Sequence, residues 1–424
     1  MTETVRKTVL GNGVRIVTQM IPHACSVSMG FWVTVGSRDE KPGENGISHF
    51  IEHMLFKGTK NRSAFQIAKE FDAIGGQTNA FTSAEYTCYH ARVLDAHLET
   101  MAAVLSDIFL NSEFSASELE NERPVILSEI SMLEDSPDEY IHALLEENFW
   151  KNHALGRSIL GSRESVQAFD ADTLKSFFHG NYTPDRIVIS AAGNVEHDRI
   201  VALLGPAFAG LKNQGGSDPR IRPSVNTHTR VYRKKLEQVH VCLGVDSLSL
   251  MDPDRFACSL LNTLLGGNMS SRLFQEIREK RGLAYSIYSF SSLNMDSGLF
   301  GIYTGVAPEQ VFNSLSLMLA ELDKICNTKI HDSELLDAKE YTKGCILLSS
   351  ESTENRMVRL AQNEINFGRF IPVDETLDNM FKVTEEDILN LSRRLFKSSR
   401  PSLTLLGPYK NKKELDLLLD GFMS

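Results

Sequence analysis

No apolar run in the 424-residue chain approaches the ~18 consecutive residues that a membrane-spanning helix needs, so no membrane partner is expected. Glycine (28) and proline (13) are too sparse for a fibrous or low-complexity chain. Cysteine is scarce too. Cys25, Cys88, Cys242, Cys258, Cys326 and Cys345 are scattered, and none forms a C-x-x-C pair. A disulfide framework is not expected in a chain of this size; free thiols in a reducing compartment are. There is no excess of positive charge. Lys+Arg 44 against Asp+Glu 55 gives a net charge of −11, which argues against nucleic acid as a partner, since phosphate binding needs a basic surface. The acidic excess serves solubility first; an acidic interior that collects basic peptides is the sharper reading. The opening residues Met-Thr-Glu-Thr-Val-Arg-Lys show neither an apolar signal core nor an Arg-rich transit pattern. A bacterial cytoplasmic protein is the expectation.

What is present is ordinary globular composition, 23% charged and 42% apolar, in a chain long enough for more than one domain. It reads as one unit written twice. Strand-like runs start at Val27 and Val239, and each is followed by a helix-length segment, Ile47 to Phe56 and Arg255 to Leu265. Helix starts at Ala171 and Glu385, and strands ending in Gly193 and Gly407, are both 214 residues apart. Leu94 to Leu110 and Ala307 to Ile325 show apolar residues at helical spacing. Gly11-Asn12-Gly13 signals a hairpin turn. The expectation is an α+β fold: two homologous α/β-sandwich domains, each an antiparallel-rich sheet packed by helices. The expected boundaries are 1–212, a linker at 213–232 around Asn213-Gln214-Gly215-Gly216, and 233–424.

The chemistry lies in Gly46-Ile47-Ser48-His49-Phe50-Ile51-Glu52-His53-Met54. On a helix, His49 and His53 are i and i+4, so both imidazoles project from one face, as two ligands of one Zn²⁺ must. Glu52 can reach a water at that metal without being a ligand, and a carboxylate there can take the water's proton. The pattern H-x-x-E-H is the signature of the inverted zinc peptidases. A catalytic zinc wants a third protein ligand and an open position. Glu129 is the best candidate, in an acidic segment that also carries Glu122 seven residues earlier. Glu122 could orient the site from behind the ligands. A solvated helix face competes as the reading of any one of these acids. Pro124 lies between them and reads as a helix start or a kink.

His49 to His53, the following Met54-Leu55-Phe56-Lys57-Gly58-Thr59 and the downstream Glu129 resemble the pitrilysin-type (M16) metallopeptidases. Size and two-domain build resemble the mitochondrial-processing-peptidase-like branch (M16B). The resemblance spans nearly the whole chain, through Asn79-Ala80-Phe81-Thr82-Ser83-Ala84-Glu85, Gly156 to Gly161, and Leu265 to Phe274. It implies a zinc endopeptidase with His49, His53 and Glu129 as ligands of one Zn²⁺ per chain, Glu52 as general base and Glu122 as a further acidic site residue. It implies that Asn79, Ala80 and Phe81 belong to an edge strand that pairs with an extended peptide substrate.

In the second half, Ile277-Arg278-Glu279-Lys280-Arg281-Gly282-Leu283-Ala284-Tyr285 reads as a charged helix end, a glycine stop and a new strand. The resemblance assigns Arg278 and Tyr285 to the substrate's carbonyl or its oxyanion, with Arg281 a nearby competitor. Ala257 to Thr263 stands where the repeat would place a second H-x-x-E-H. One copy is therefore expected to keep the metal and the other to face substrate. The resemblance implies a closed chamber, and one chain carrying both residue sets favours a homodimer in which the partner's second domain completes each site. The alternative is a non-catalytic core or peptide-binding subunit of the same fold. A purely structural zinc is disfavoured, because no cysteine lies near the motif.

Overall fold

The β-branched and aromatic run from Ser26 forms the middle of a sheet in the computed structural model, which describes residues 4–212 and 219–423. Six strands make this sheet: β1 (Val5–Val9), β2 (Arg15–Met20), β3 (Ser26–Val33), β4 (Gln77–Thr82), β5 (Thr87–Leu94) and β6 (Ile187–Gly193). Their spatial order is β1-β2-β6-β3-β5-β4, which leaves β4 at an edge. β1 and β2 form the hairpin expected around Gly11-Asn12-Gly13. β2 runs parallel to β6, and the other pairings are antiparallel.

A second sheet repeats the plan. Its strands are β7 (Thr229–Tyr232), β8 (Val239–Asp246), β9 (Ala284–Leu293), β10 (Gly298–Val306) and β11 (Ser402–Leu406), in the order β7-β11-β8-β10-β9. β7 is parallel to β11, as β2 is to β6, and the rest is antiparallel. The order matches β2-β6-β3-β5-β4 strand for strand, so the duplication in the sequence is also one of topology. The expected linker is corrected at its end. Thr229–Tyr232, β-branched and aromatic, is a strand paired along β11, while residues 213–218 lie outside the described residues. Two helices also start later than their periodicity suggested, at Leu98 and Val311. Leu94 closes β5, and short 3-10 turns at Asp95–His97 and Pro308–Gln310 precede the helices.

Packing divides the chain into two units, neither continuous in sequence. One takes the chain up to Met132, Arg157–Arg220 and Leu347–Pro372; the other takes Leu133–Gly156, Ile221–Ile346 and the chain from Val373. The helix Pro137–Phe149 thus belongs to the second unit and Thr353–Phe367 to the first. This corrects the expected boundaries, which gave each half its own helices. The reason lies in the central strands. β3 is buried at nearly every position, so both faces of its sheet need cover. On one face Phe31 meets Phe109 and Phe208 edge-on, with ring centroids 5.6 and 5.3 Å apart. Burying each such ring contributes about 1.5–3 kcal/mol. On the other face Trp32, Cys88 and Val188 pack against Met357, Leu360 and Ala361 of the exchanged helix. Gly30 permits that approach, since a Cβ there would stand 2.5 Å from Met357 Sδ. In the second unit Gly244 of β8 lies beneath Leu145 in the same way.

Candidate metal centre

His49 and His53 lie on the helix Ile47–Leu55. Ile47, Phe50, Ile51, Met54 and Leu55 are buried, which fixes the roll of the helix and turns both imidazoles to one side, with ring centroids 4.6 Å apart. The helix begins after Gly46, whose φ is +90° and where a Cβ would stand 2.6 Å from Gly161 Cα. Its first amides are held from a distance. Glu40, buried, accepts the Gly46 N–H at 2.8 Å and the Ser48 N–H at 3.0 Å. Arg157 in turn donates to the Glu40 carbonyl. Sequence reading gave no sign of Glu40, because the acid does not stand at a capping-box position.

Glu122 and Glu129 share one helix, Ala116–Asp135, which carries Pro124 in its interior. Pro124 is therefore not a helix start. It removes one backbone hydrogen bond, and both acids still face the same histidine. Glu129 Oε2 lies 3.5 Å from His49 Nε2 and 3.5 Å from His53 Nε2. Glu122 Oε1 lies 2.8 Å from His53 Nδ1. Sequence reading also missed Lys57, whose Nζ lies 2.6 Å from Glu122 Oε2. Its helix ends two residues earlier, so helical spacing could not place it.

Ligand atoms of His49, His53 and Glu129 all lie within 4.8 Å of one another. A tetrahedral zinc with bonds of about 2.0–2.2 Å has ligand–ligand edges of about 3.3–3.6 Å, which the two separations from Glu129 fit. The proton arrangement fits as well. His53 Nδ1–H donates to Glu122, which leaves the Nε2 lone pair toward Glu129. Burial, then the neighbouring His53, pushes His49 down to about 3, so its imidazole is neutral, the form that binds metal.

Glu52, half-buried on the same helix, accepts a hydrogen bond of 2.5 Å from Thr82 Oγ1. Burial raises its carboxyl above the ordinary range and Glu129 adds to this, against Thr82 and His53, which lower it. Thr82 ends β4, the edge strand. Along β4, Asn79 is exposed, and its Oδ1 accepts the Ala80 N–H at 2.9 Å. Ala80 packs on the core beneath the histidine helix. Phe81 turns to the opposite face, its ring 5.5 Å from Trp32. Of the three residues expected to hold substrate, Phe81 thus turns its ring away from the histidine helix, and its backbone pairs with Cys88 of β5.

Arg278 and Tyr285 belong to the second unit, where two local irregularities present them. Phe274–Glu279 is a π-helical turn, and Arg278 Cζ lies 4.7 Å from the Phe274 ring and 4.8 Å from the Tyr285 ring. Tyr285 is the extra residue of a β-bulge: Ser286 faces Gly305 while Ala284 faces Val306. It is 79% exposed. Arg281 is engaged with Glu276 at 2.5 Å. At the places that the repeat gives His49 and Glu129, offset by 214 and 213 residues, stand Thr263 and Thr342, with their hydroxyl oxygens 3.3 Å apart. Two neutral hydroxyls replace an imidazole and a carboxylate. Among the described residues the His49 cluster is the one group of three or more His, Cys, Asp or Glu placed to hold a metal.

Residues 15–163 match the family description Insulinase (Peptidase family M16), and residues 168–341 match Peptidase M16 inactive domain. An uncharacterized zinc protease of Streptomyces coelicolor is 42% identical over 420 residues, 97% of this chain and 91% of that protein. The chain belongs to peptidase family M16. The uncharacterized zinc protease YmxG of Bacillus subtilis is likewise 42% identical, over 94% of this M16 chain and 97% of its own. A protease from Helicobacter pylori has the same fold, with a TM-score of 0.89 at 23% identity over 96% of this chain and all of its own. A structure titled peptidase M16 inactive domain, from Pseudomonas fluorescens, has a TM-score of 0.87 at 20% identity over 96% of this chain and 98% of its own. Among the described residues no helix is long and apolar enough to cross a membrane.

Proposed function

We propose that this M16 chain is a zinc-dependent endopeptidase of the mitochondrial-processing-peptidase-like branch, cutting extended or unfolded peptides in a closed chamber. The observation that carries this reading is the convergence of His49, His53 and Glu129 beside Glu52. His49, His53 and Glu129 would hold one zinc per chain, and Glu122 orients His53. When bound, zinc supplies Lewis acidity toward a water and a peptide carbonyl. The free edge of β4 at Asn79 and Ala80 holds the peptide by strand addition. Glu52, kept in place by Thr82, takes the proton of the attacking water and returns it to the leaving amine. Arg278 and Tyr285 donate to the carbonyl oxygen as it gains charge, from the partner chain of a homodimer. Six free cysteines and relatives from bacteria support a bacterial cytoplasmic setting.

The alternative, a non-catalytic subunit, gains no support from the first unit, which keeps the ligand candidates and the base together. The inactive-domain description falls on residues 168–341, which include Thr263 and not the histidine helix. The test is cleavage of a quenched fluorescent peptide library, before and after chelation, with zinc restored and Glu52→Gln in parallel. Activity lost on chelation, regained with zinc and absent in the variant is expected. A wild-type protein that holds one zinc and cuts nothing overturns the peptidase reading in favour of peptide binding alone.

A further inference from the structure

Thr82 has no place in the ligand set, and the sequence marks it only as part of the run Asn79–Glu85. It is the last residue of β4, and its hydroxyl donates to Glu52 Oε2 at 2.5 Å. Strand alternation puts Ala80 and Thr82 on the face toward the histidine helix and Phe81 on the other, where its ring meets Trp32. The carboxylate of the base is thus tied by a short hydrogen bond to the strand whose free edge is open to an extended peptide. A peptide that adds to that edge pairs with backbone a few residues from Thr82, so its register and the orientation of Glu52 share one reference element.

We infer that Thr82 is the positioning residue of the general base, linking the substrate strand to the carboxylate that moves the proton. This rests on the peptidase reading above. Thr82 touches neither metal nor substrate in this role; it holds Glu52 Oε2, leaving Oε1 for the proton of the water. A valine keeps the shape and β-propensity of threonine and loses only the donor, whereas serine keeps the donor.

The experiment compares wild type, Thr82→Val, Thr82→Ser and Glu52→Gln as full chains. It measures kcat and KM on one quenched peptide, zinc content, zinc affinity and thermal midpoint. Thr82→Val should lower kcat about tenfold or more, within the range that a misplaced general base loses, with KM, zinc affinity and midpoint kept. Thr82→Ser should restore kcat to within about threefold. A valine variant as fast as wild type overturns the inference, as does a valine variant that loses zinc or stability together with rate, which would make Thr82 merely structural. A wild type that binds zinc and cuts no peptide overturns the peptidase reading and the inference with it. These failures are distinguishable, because only in the last is the wild type itself inactive.

Discussion

Lys57 Nζ lies 2.6 Å from one oxygen of the buried Glu122 carboxylate, and His53 Nδ1 lies 2.8 Å from the other. The ammonium offsets the charge of a carboxylate that would otherwise be costly to bury. The carboxylate in turn selects the His53 tautomer whose Nε2 is free.

Glu122→Gln should therefore weaken zinc binding without removing a ligand. An amide can rotate its nitrogen toward His53 and offers a weaker acceptor. The expected loss is about 10–100-fold in affinity, typical of such outer partners. Competition against a zinc chelator of known affinity measures it. An unchanged zinc affinity would remove the orienting role from Glu122.

Metal content tests how the two copies differ. Thr263 and Thr342 stand where His49 and Glu129 would recur, and neutral hydroxyls are poor zinc ligands. Elemental analysis of the wild type should give one zinc per chain, and His53→Ala should give none. A residual half in His53→Ala would locate a second site outside the cluster.

The histidine helix was legible because its motif is local: two ligand candidates and a base within five residues, at spacings that helix geometry interprets. Spacing alone made Glu129 only the best candidate among several acids; the family resemblance named it, and the fold sets Ala116–Asp135 so that its carboxylate meets both histidines. Glu40 and Lys57 were invisible for the opposite reason. Each acts across a turn, through a backbone amide or another side chain, and no periodicity marks such contacts. The internal repeat showed that one unit is written twice, the Gly11-Asn12-Gly13 turn marked the hairpin, and apolar spacing marked two long helices without their starts. It did not reveal the exchange of Pro137–Phe149 for Thr353–Phe367, since a helix pattern records that a face is buried and not which sheet buries it. Nor could it foresee the bulge at Tyr285, which arises from the register of β9 against β10.

Acid should favour the second unit through Glu146. Burial pushes its carboxyl up to about 7, from an ordinary value of 4.5. The folded value lies above the unfolded one, so the proton favours the fold. That contribution is complete below about pH 4.5 and is lost as pH rises through about 7. Glu146→Gln removes the charge of this half-buried side chain. Urea midpoints should coincide for variant and wild type near pH 4.5, and at pH 8 the variant should be the more stable by up to about 3 kcal/mol, the size implied by such a shift. A variant equally or less stable at pH 8 would mean that the carboxylate is well solvated or paired.

The homodimer reading makes a complementation prediction. Take Glu52→Gln and Tyr285→Phe, each expected to be nearly inactive with zinc retained. In a mixed dimer with the partner's second domain at each zinc, one site combines both lesions, while the other combines intact Glu52 with intact Tyr285. Random mixing makes half the dimers mixed with one working site of two, so activity should return to about a quarter of wild type. Refolding or prolonged incubation of the two proteins together, followed by the peptide assay, reads this directly. If Glu52 and Tyr285 instead serve one site within a single chain, every site carries one lesion and mixing restores nothing, whatever the assembly size.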